Sequence, residues 1–149
     1  MYTIDASVWV NGFDQREKGY EHSYKLLETI RQKNILIFVP NLVLSEISGA
    51  ISRTRQNPTQ AITFVSALSK LPNVRLIPLD TSIAEYAFKL AAQHGLRGAD
   101  SVYAAVAREY NCTLISLDSE HLTKMTSIIA VQTPNAVLKG LAKTLRIKD

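Results

Sequence analysis

The sequence predicts an α/β fold in three layers, with helices on both sides of a central, mostly parallel sheet of four to five strands. Two observations carry this. Short apolar runs rich in β-prone residues alternate with amphipathic stretches along the chain. One run, Ile35-Leu36-Ile37-Phe38-Val39, is apolar at every position and ends at Pro40, as a strand covered on both faces does. Strands alternating with helices imply right-handed βαβ crossovers, and hence parallel strands.

Tyr2-Thr3-Ile4-Asp5 reads as the first strand, and a helix begins near Ser7 and reaches toward Asn11. Residues 21–32 (EHSYKLLETIRQ) set Tyr24, Leu26, Leu27 and Ile30 in an apolar stripe, the mark of a helix. After the strand over 35–39, residues 41–53 form a helix with Leu44, Ile47 and Ile51 on one face. Residues 58–70 form another, aligning Ile62, Val65 and Leu68, and Pro72 closes it. Residues 74–79 are the third strand. Residues 81–94 form a strong helix, with Ser82 and Glu85 at capping-box spacing and Gly95 placed for a left-handed stop. Gly98 precedes a helix over 99–110. Residues 113–117 are the fourth strand, 127–131 a fifth at an edge, and Pro134 opens a last helix toward Lys143.

Composition narrows the class of function. The 149 residues suit one domain over 1–149. With 46% hydrophobic and 20% charged residues, the balance is that of an ordinary globular chain. No apolar run approaches the roughly 20 residues of a membrane helix. The opening residues lack the basic stretch and apolar core of a signal peptide. The single cysteine, Cys112, has no disulfide partner within the chain and reads as a core residue. Together these predict a cytoplasmic protein with no membrane contact. The net charge of +4 suits a polyanionic partner but by itself selects none. A basic chain that also gathers carboxylates in one place is what a metal-dependent nuclease requires.

In sheets of this kind, ligands bind beyond the carboxyl ends of the strands. Asp5 ends the first strand and Asp118 follows the fourth, so both fall at that edge. Asp100 lies in the first turn of the helix after Gly98. Glu46 lies in the helix after Pro40, one to two turns from the same edge. Taken singly, Asp5 and Asp118 read as turn or cap residues and Asp100 as a helix-terminus charge. Glu46 has apolar neighbours at helical spacing (Leu42, Val43, Ala50), and a buried carboxylate is costly unless paired or bound to metal. Four clustered carboxylates raise one another's pKa values, and a divalent cation removes that repulsion. Oxygen donors suit Mg²⁺ or Mn²⁺. One Cys and three His (His22, His94, His121), far apart in sequence, do not make a structural zinc site.

On these residues the chain resembles the PIN-domain family, and within it the VapC-like toxin ribonucleases of type II toxin–antitoxin pairs. The matching residues are Asp5-Ala6-Ser7 after the opening strand, Glu46, Ala99-Asp100-Ser101 opening a helix, and Leu114-Ile115-Ser116-Leu117-Asp118. The resemblance implies a PIN-like fold and a Mg²⁺- or Mn²⁺-dependent endoribonuclease. It implies Asp5, Glu46, Asp100 and Asp118 as the catalytic, metal-binding cluster, with Ser7 and Ser116 as supporting hydroxyls. Glu120 stands where some members carry a further acid, or is a solvated helix residue. An RNA substrate, a homodimer and a cognate antitoxin protein are likewise implied.

Arg97 just before Asp100, Arg53 and Arg55 at a helix tip, and Lys124 after Asp118 are candidates for RNA phosphate contacts. Trp9 and Phe13 either stack on bases or pack in the core or a dimer interface. Lys139, Lys143, Arg146 and Lys148 read as a solvated helix face. Rival enzymes fit less well. A haloacid-dehalogenase-type phosphatase wants a second Asp where Ser7 stands. A phospho-receiver wants a lysine at the end of a late strand, and Lys124 lies too far past Leu117. A nucleotide-binding module wants a Gly-rich loop that Asp5-Ala6-Ser7-Val8 is not. The alternative of another class is a catalytically inactive PIN-like RNA-binding or protein-interaction module. Its mark is a missing carboxylate, and all four are present.

Overall fold

The computed structural model describes residues 1–146, the last three in backbone only. Five strands, β1 (Tyr2–Ile4), β2 (Ile37–Pro40), β3 (Val74–Ile77), β4 (Thr113–Ile115) and β5 (Val131–Gln132), form one sheet in the order β3-β2-β1-β4-β5. Every neighbouring pair is parallel. Helices α1 (Ala6–Phe13) and α2 (Tyr20–Gln32) follow β1, and α3 (Leu42–Arg55) and α4 (Pro58–Leu68) follow β2. Helices α5 (Thr81–His94) and α6 (Gly98–Glu109) join β3 to β4. Helix α7 (Ser119–Lys124) and a 3-10 turn at Met125–Ser127 lead to β5, and α8 (Pro134–Arg146) closes the described chain. This is the expected three-layer α/β/α fold.

The chain steps one way across the sheet from β1 to β3, then jumps back over β2 and β1 to reach β4. Right-handed crossovers therefore put α1–α4 on one face and α5–α7 on the other. Helix α8 packs against α2, on the first face. Ile4, Val39 and Leu114 in the strands are wholly buried. Val43, Ile47 and Ile51 of α3 close one side, and the small residues Ala104, Ala105 and Ala107 let α6 lie close on the other. Leu44, expected on the buried face of α3, is only half-buried, because Val43 takes that place. Trp9 packs in the core at 5% exposure, and Phe13 stands edge-on to Phe64 at 4.8 Å. Neither ring is presented for base stacking. Cys112 is buried, and burial pushes its thiol up in pKa, as for an inert core residue.

Several boundaries differ from the sequence expectation for local reasons. Strand pairing of β2 begins at Ile37, while the carbonyl of Ile35 accepts from the Asn73 side chain instead. The fifth strand is two residues long and starts at Val131, because the chain over 125–127 is wound into the 3-10 turn. Residues 119–124, to which the sequence assigns no element beyond a solvated helix position for Glu120, form a helix whose cap is Asp118. The cap of α5 is Asp80, whose Oδ1 accepts from the Ile83 N–H at 2.9 Å, so Ser82 sits inside the helix and forms no capping box. Gly95 does end α5 in the left-handed region, at φ +62°. The expected solvated face at the tail is exposed at Lys139 and Lys143, while Lys148 and the Arg146 side chain lie outside the described residues.

Strands β1 and β4 are neighbours, in register from Tyr2↔Thr113 to Ile4↔Ile115. The connections that leave them turn to opposite faces. A crevice opens at that point, beyond the carboxyl ends of both strands, where ligands of such sheets bind.

Candidate active site

Asp5 is the first residue past β1, with extended backbone, and it caps α1. Its Oδ2 accepts from the Ser7 N–H at 3.1 Å, from the Ser7 hydroxyl, and from Ser116 Oγ at 3.3 Å. Its own N–H donates to the Ile115 carbonyl at 3.0 Å, which ties it to the end of β4. Ser7 also accepts from the Leu117 N–H at 3.2 Å, so α1 and the segment after β4 are stitched together here.

Asp118, three residues past β4, caps α7. Its Oδ1 accepts from the Glu120 N–H at 2.7 Å. Its Oδ2 meets Arg97 Nη2 at 3.2 Å. Burial would raise its pKa, but the Glu120 N–H, His121 and Arg97 outweigh that and hold the carboxyl below its ordinary value.

Asp100 lies in the first turn of α6. Its Oδ2 accepts from Arg97 Nε at 2.8 Å and its Oδ1 meets His121 Nε2 at 2.9 Å. Arg97 also reaches Glu120 Oε2 at 3.5 Å, so one exposed guanidinium touches three carboxylates. Glu46, on the second turn of α3, is half-buried. Its Oε2 accepts from the Tyr103 hydroxyl at 2.6 Å. Burial raises the Glu46 pKa, and the charges of Asp5 and Asp100 add to the rise against that hydrogen bond. Burial and the same Glu46 carboxylate push the Tyr103 phenol far up, so it stays a donor.

The structure thus brings Asp5, Glu46, Asp100 and Asp118 to one edge with Ser7, Ser116 and Glu120 among them. Arg97 stands in the cluster, and Lys124 approaches it through Glu120 at 3.5 Å. Arg53 and Arg55 are not brought there. Arg53 folds back over Gly49 on its own helix. Arg55 pairs with Asp14 at 2.8 Å and lies over the Phe13 ring, so its charge is already matched. Two participants were not singled out from sequence. Tyr103 falls one turn after Asp100 on α6, a spacing that places both on one face. His121 falls three residues after Asp118, at the end of the first turn of α7.

A common pattern runs through the four carboxylates. In each, one oxygen is held by the fold: by Ser7 and Ser116 for Asp5, Tyr103 for Glu46, His121 for Asp100, and the Glu120 N–H for Asp118. The second oxygen has no hydrogen-bond partner among the described residues in Asp5 and Glu46, and meets only Arg97 in Asp100 and Asp118. Oxygen donors oriented this way fit a hard divalent cation. Arg97 stands between two of them, and among the described residues no three His, Cys, Asp or Glu side chains make a finished metal-holding group.

A parallel α/β/α sheet with carboxylates gathered at its β1–β4 crevice defines a class of acidic-centred α/β proteins. Comparison narrows it: the family model for the PIN domain matches residues 2–126, and the chain belongs to that family. No curated protein matches at a significant level. Among solved structures, the chain is similar to VapC20 of Mycobacterium tuberculosis, described as a toxin that cleaves the sarcin–ricin loop. The TM-score is 0.69 and the identity 18%, over 80% of this chain and 92% of that one. A toxin–antitoxin complex from Klebsiella pneumoniae gives 0.68 and 19%, over 90% and 98%. VapBC2 of Rickettsia felis, bound to a DNA fragment from its promoter, gives 0.65 and 19%, over 89% and 97%. At these identities the likeness is one of fold. Among the described residues no helix is long and apolar enough to cross a membrane.

Proposed function

We propose that this chain is a Mg²⁺- or Mn²⁺-dependent endoribonuclease that hydrolyses RNA phosphodiester bonds, and the toxin of a toxin–antitoxin pair. One observation carries this reading. Four carboxylates from four separate elements each have one oxygen that the fold holds, while the second is without a partner among the described residues in Asp5 and Glu46 and meets only Arg97 in Asp100 and Asp118. Asp5, Asp100 and Asp118 would hold the ion, and Glu46 would complete the set directly or through water. An ion there supplies Lewis acidity toward water and phosphate oxygen, which phosphodiester hydrolysis needs. The chain's own residues do the rest. Ser7 and Ser116 orient Asp5, and Tyr103 orients Glu46. The Arg97 fork at the mouth suits an RNA phosphate by charge and shape, with Lys124 beside it. Arg53 would add charge further along α3.

The solved toxin–antitoxin complexes of the same fold support an antitoxin partner for this chain. We read it further as a homodimer of single domains over 1–149, working in the cytoplasm.

The test is cleavage of a mixed RNA pool by the purified chain with Mg²⁺, with Mn²⁺ and with chelator, alongside Asp100→Asn. Metal-dependent cuts that vanish in the variant are expected. RNA that is bound but left uncut under all conditions would favour the inactive RNA-binding module.

A further inference from the structure

The side chain of His121 is 3% exposed, on the inner side of α7, in a helix of the mostly polar sequence SEHLTK. An imidazole so buried must have its nitrogens satisfied. Its Nε2 meets Asp100 Oδ1 at 2.9 Å, and since a carboxylate only accepts, that nitrogen carries the hydrogen. Its Nδ1 lies 2.9 Å from Ser116 Oγ. Ser116 is itself wholly buried and reaches Asp5 Oδ2 at 3.3 Å. The same hydroxyl accepts from the Asp118 N–H at 3.0 Å. One imidazole and one hydroxyl therefore join the end of β1, the start of α6 and the segment after β4. The chain of contacts runs Asp5, Ser116, His121, Asp100.

This arrangement has a consequence for carboxylate geometry. A carboxylate free to rotate presents either oxygen, or both, to whatever approaches. With Oδ1 held by His121, Asp100 offers Oδ2. With Oδ2 held through Ser116, Asp5 offers Oδ1. Ser7 also holds Asp5 Oδ2, so His121 restrains Asp100 directly and adds to the restraint on Asp5 through Ser116.

We propose that His121 is a positioning residue: it sets which Asp100 oxygen the site presents to a divalent cation, and through Ser116 it reinforces the Asp5 orientation that Ser7 holds. The inference rests on the nuclease reading above. Outer partners of ligating carboxylates change metal affinity by about 10- to 100-fold when removed.

The test uses the full chain and Mn²⁺ alone, with affinity measured by calorimetry and fold by circular dichroism and thermal melting. Wild type, His121→Phe, His121→Gln and Ser116→Ala are compared. In folded His121→Phe, Mn²⁺ affinity is expected to fall by about 10- to 100-fold. His121→Gln keeps an N–H for Asp100 and is expected to recover most of that loss. Ser116→Ala removes the contacts to Asp5, to His121 Nδ1 and to the Asp118 N–H but leaves His121 on Asp100, and is expected to lie between. At saturating metal, kcat on RNA falls in His121→Phe while KM stays near wild type. If His121→Phe does not fold, Ser116→Ala decides: wild-type Mn²⁺ affinity there overturns the proposal. So does folded His121→Phe with wild-type affinity. If wild type binds no Mn²⁺, the metal-dependent reading falls and takes this inference with it. If wild type binds and His121→Phe binds equally, only the inference falls.

Discussion

Arg97 touches three carboxylates from an exposed position, held by charge rather than by packing. A guanidinium and a divalent cation cannot share the space between Asp100 and Asp118 without strong repulsion. Arg97→Gln is therefore expected to bind Mn²⁺ more tightly than wild type and RNA more weakly, read by calorimetry and by filter binding. Unchanged Mn²⁺ affinity would show that the arginine swings clear at no cost. Away from the site, Asp14 is held down to a pKa of about 2 by hydrogen bonds from the Arg16 side chain and backbone, with Arg55 adding charge. Its folded pKa lies below the ordinary carboxylate value. Its stabilising contribution is thus full above pH 4 or so and lost as pH falls toward 2. Urea midpoints of Asp14→Asn should show a flatter acid limb than wild type over that window. The sequence made the four carboxylates legible because each follows a recognisable strand end or helix start. Tyr103 and His121 were not, since a Tyr or His reads as core until its polar partner is known.

Helices and strands were legible from hydrophobic period, and their ends from Pro and Gly. One miss comes from a local rule read without the competing side chain. Ser82 and Glu85 have the right spacing for a capping box, but Asp80 lies two residues earlier and its carboxylate reaches the free N–H of Ile83 first. Asp80→Ala should lower stability by about 1 kcal/mol, whereas Ser82→Ala should change it by only a few tenths. Thermal or urea unfolding of the two variants separates them, and the reverse order would restore the capping box. Helix α7 is not legible from period because its six residues hold a single apolar one, Leu122, and so no apolar stripe. It forms because Asp118 caps it and His121 and Met125 anchor it inside. The two-residue β5 is shorter than any periodicity can reveal.

At the scale of the whole molecule, alternating strands and helices were enough to state the architecture, and the rule for open α/β sheets was enough to find the edge where the acids gather. Sheet order was not legible, because residues 37–39, 74–77 and 113–115 are all apolar enough for an inner strand. The observed order, with β4 inserted beside β1, has a further consequence for how the protein comes into being. A chain made from its amino end first delivers β1, β2 and β3, which can pair among themselves and carry only Asp5 and Glu46. Asp100 comes with α6, and Ser116, Asp118 and His121 come last, with the strand that must slot in next to β1. Nothing resembling a working centre exists until translation has passed residue 121. For a protein whose proposed substrate is RNA, the template and ribosome that produce it stay clear of its chemistry for most of its synthesis.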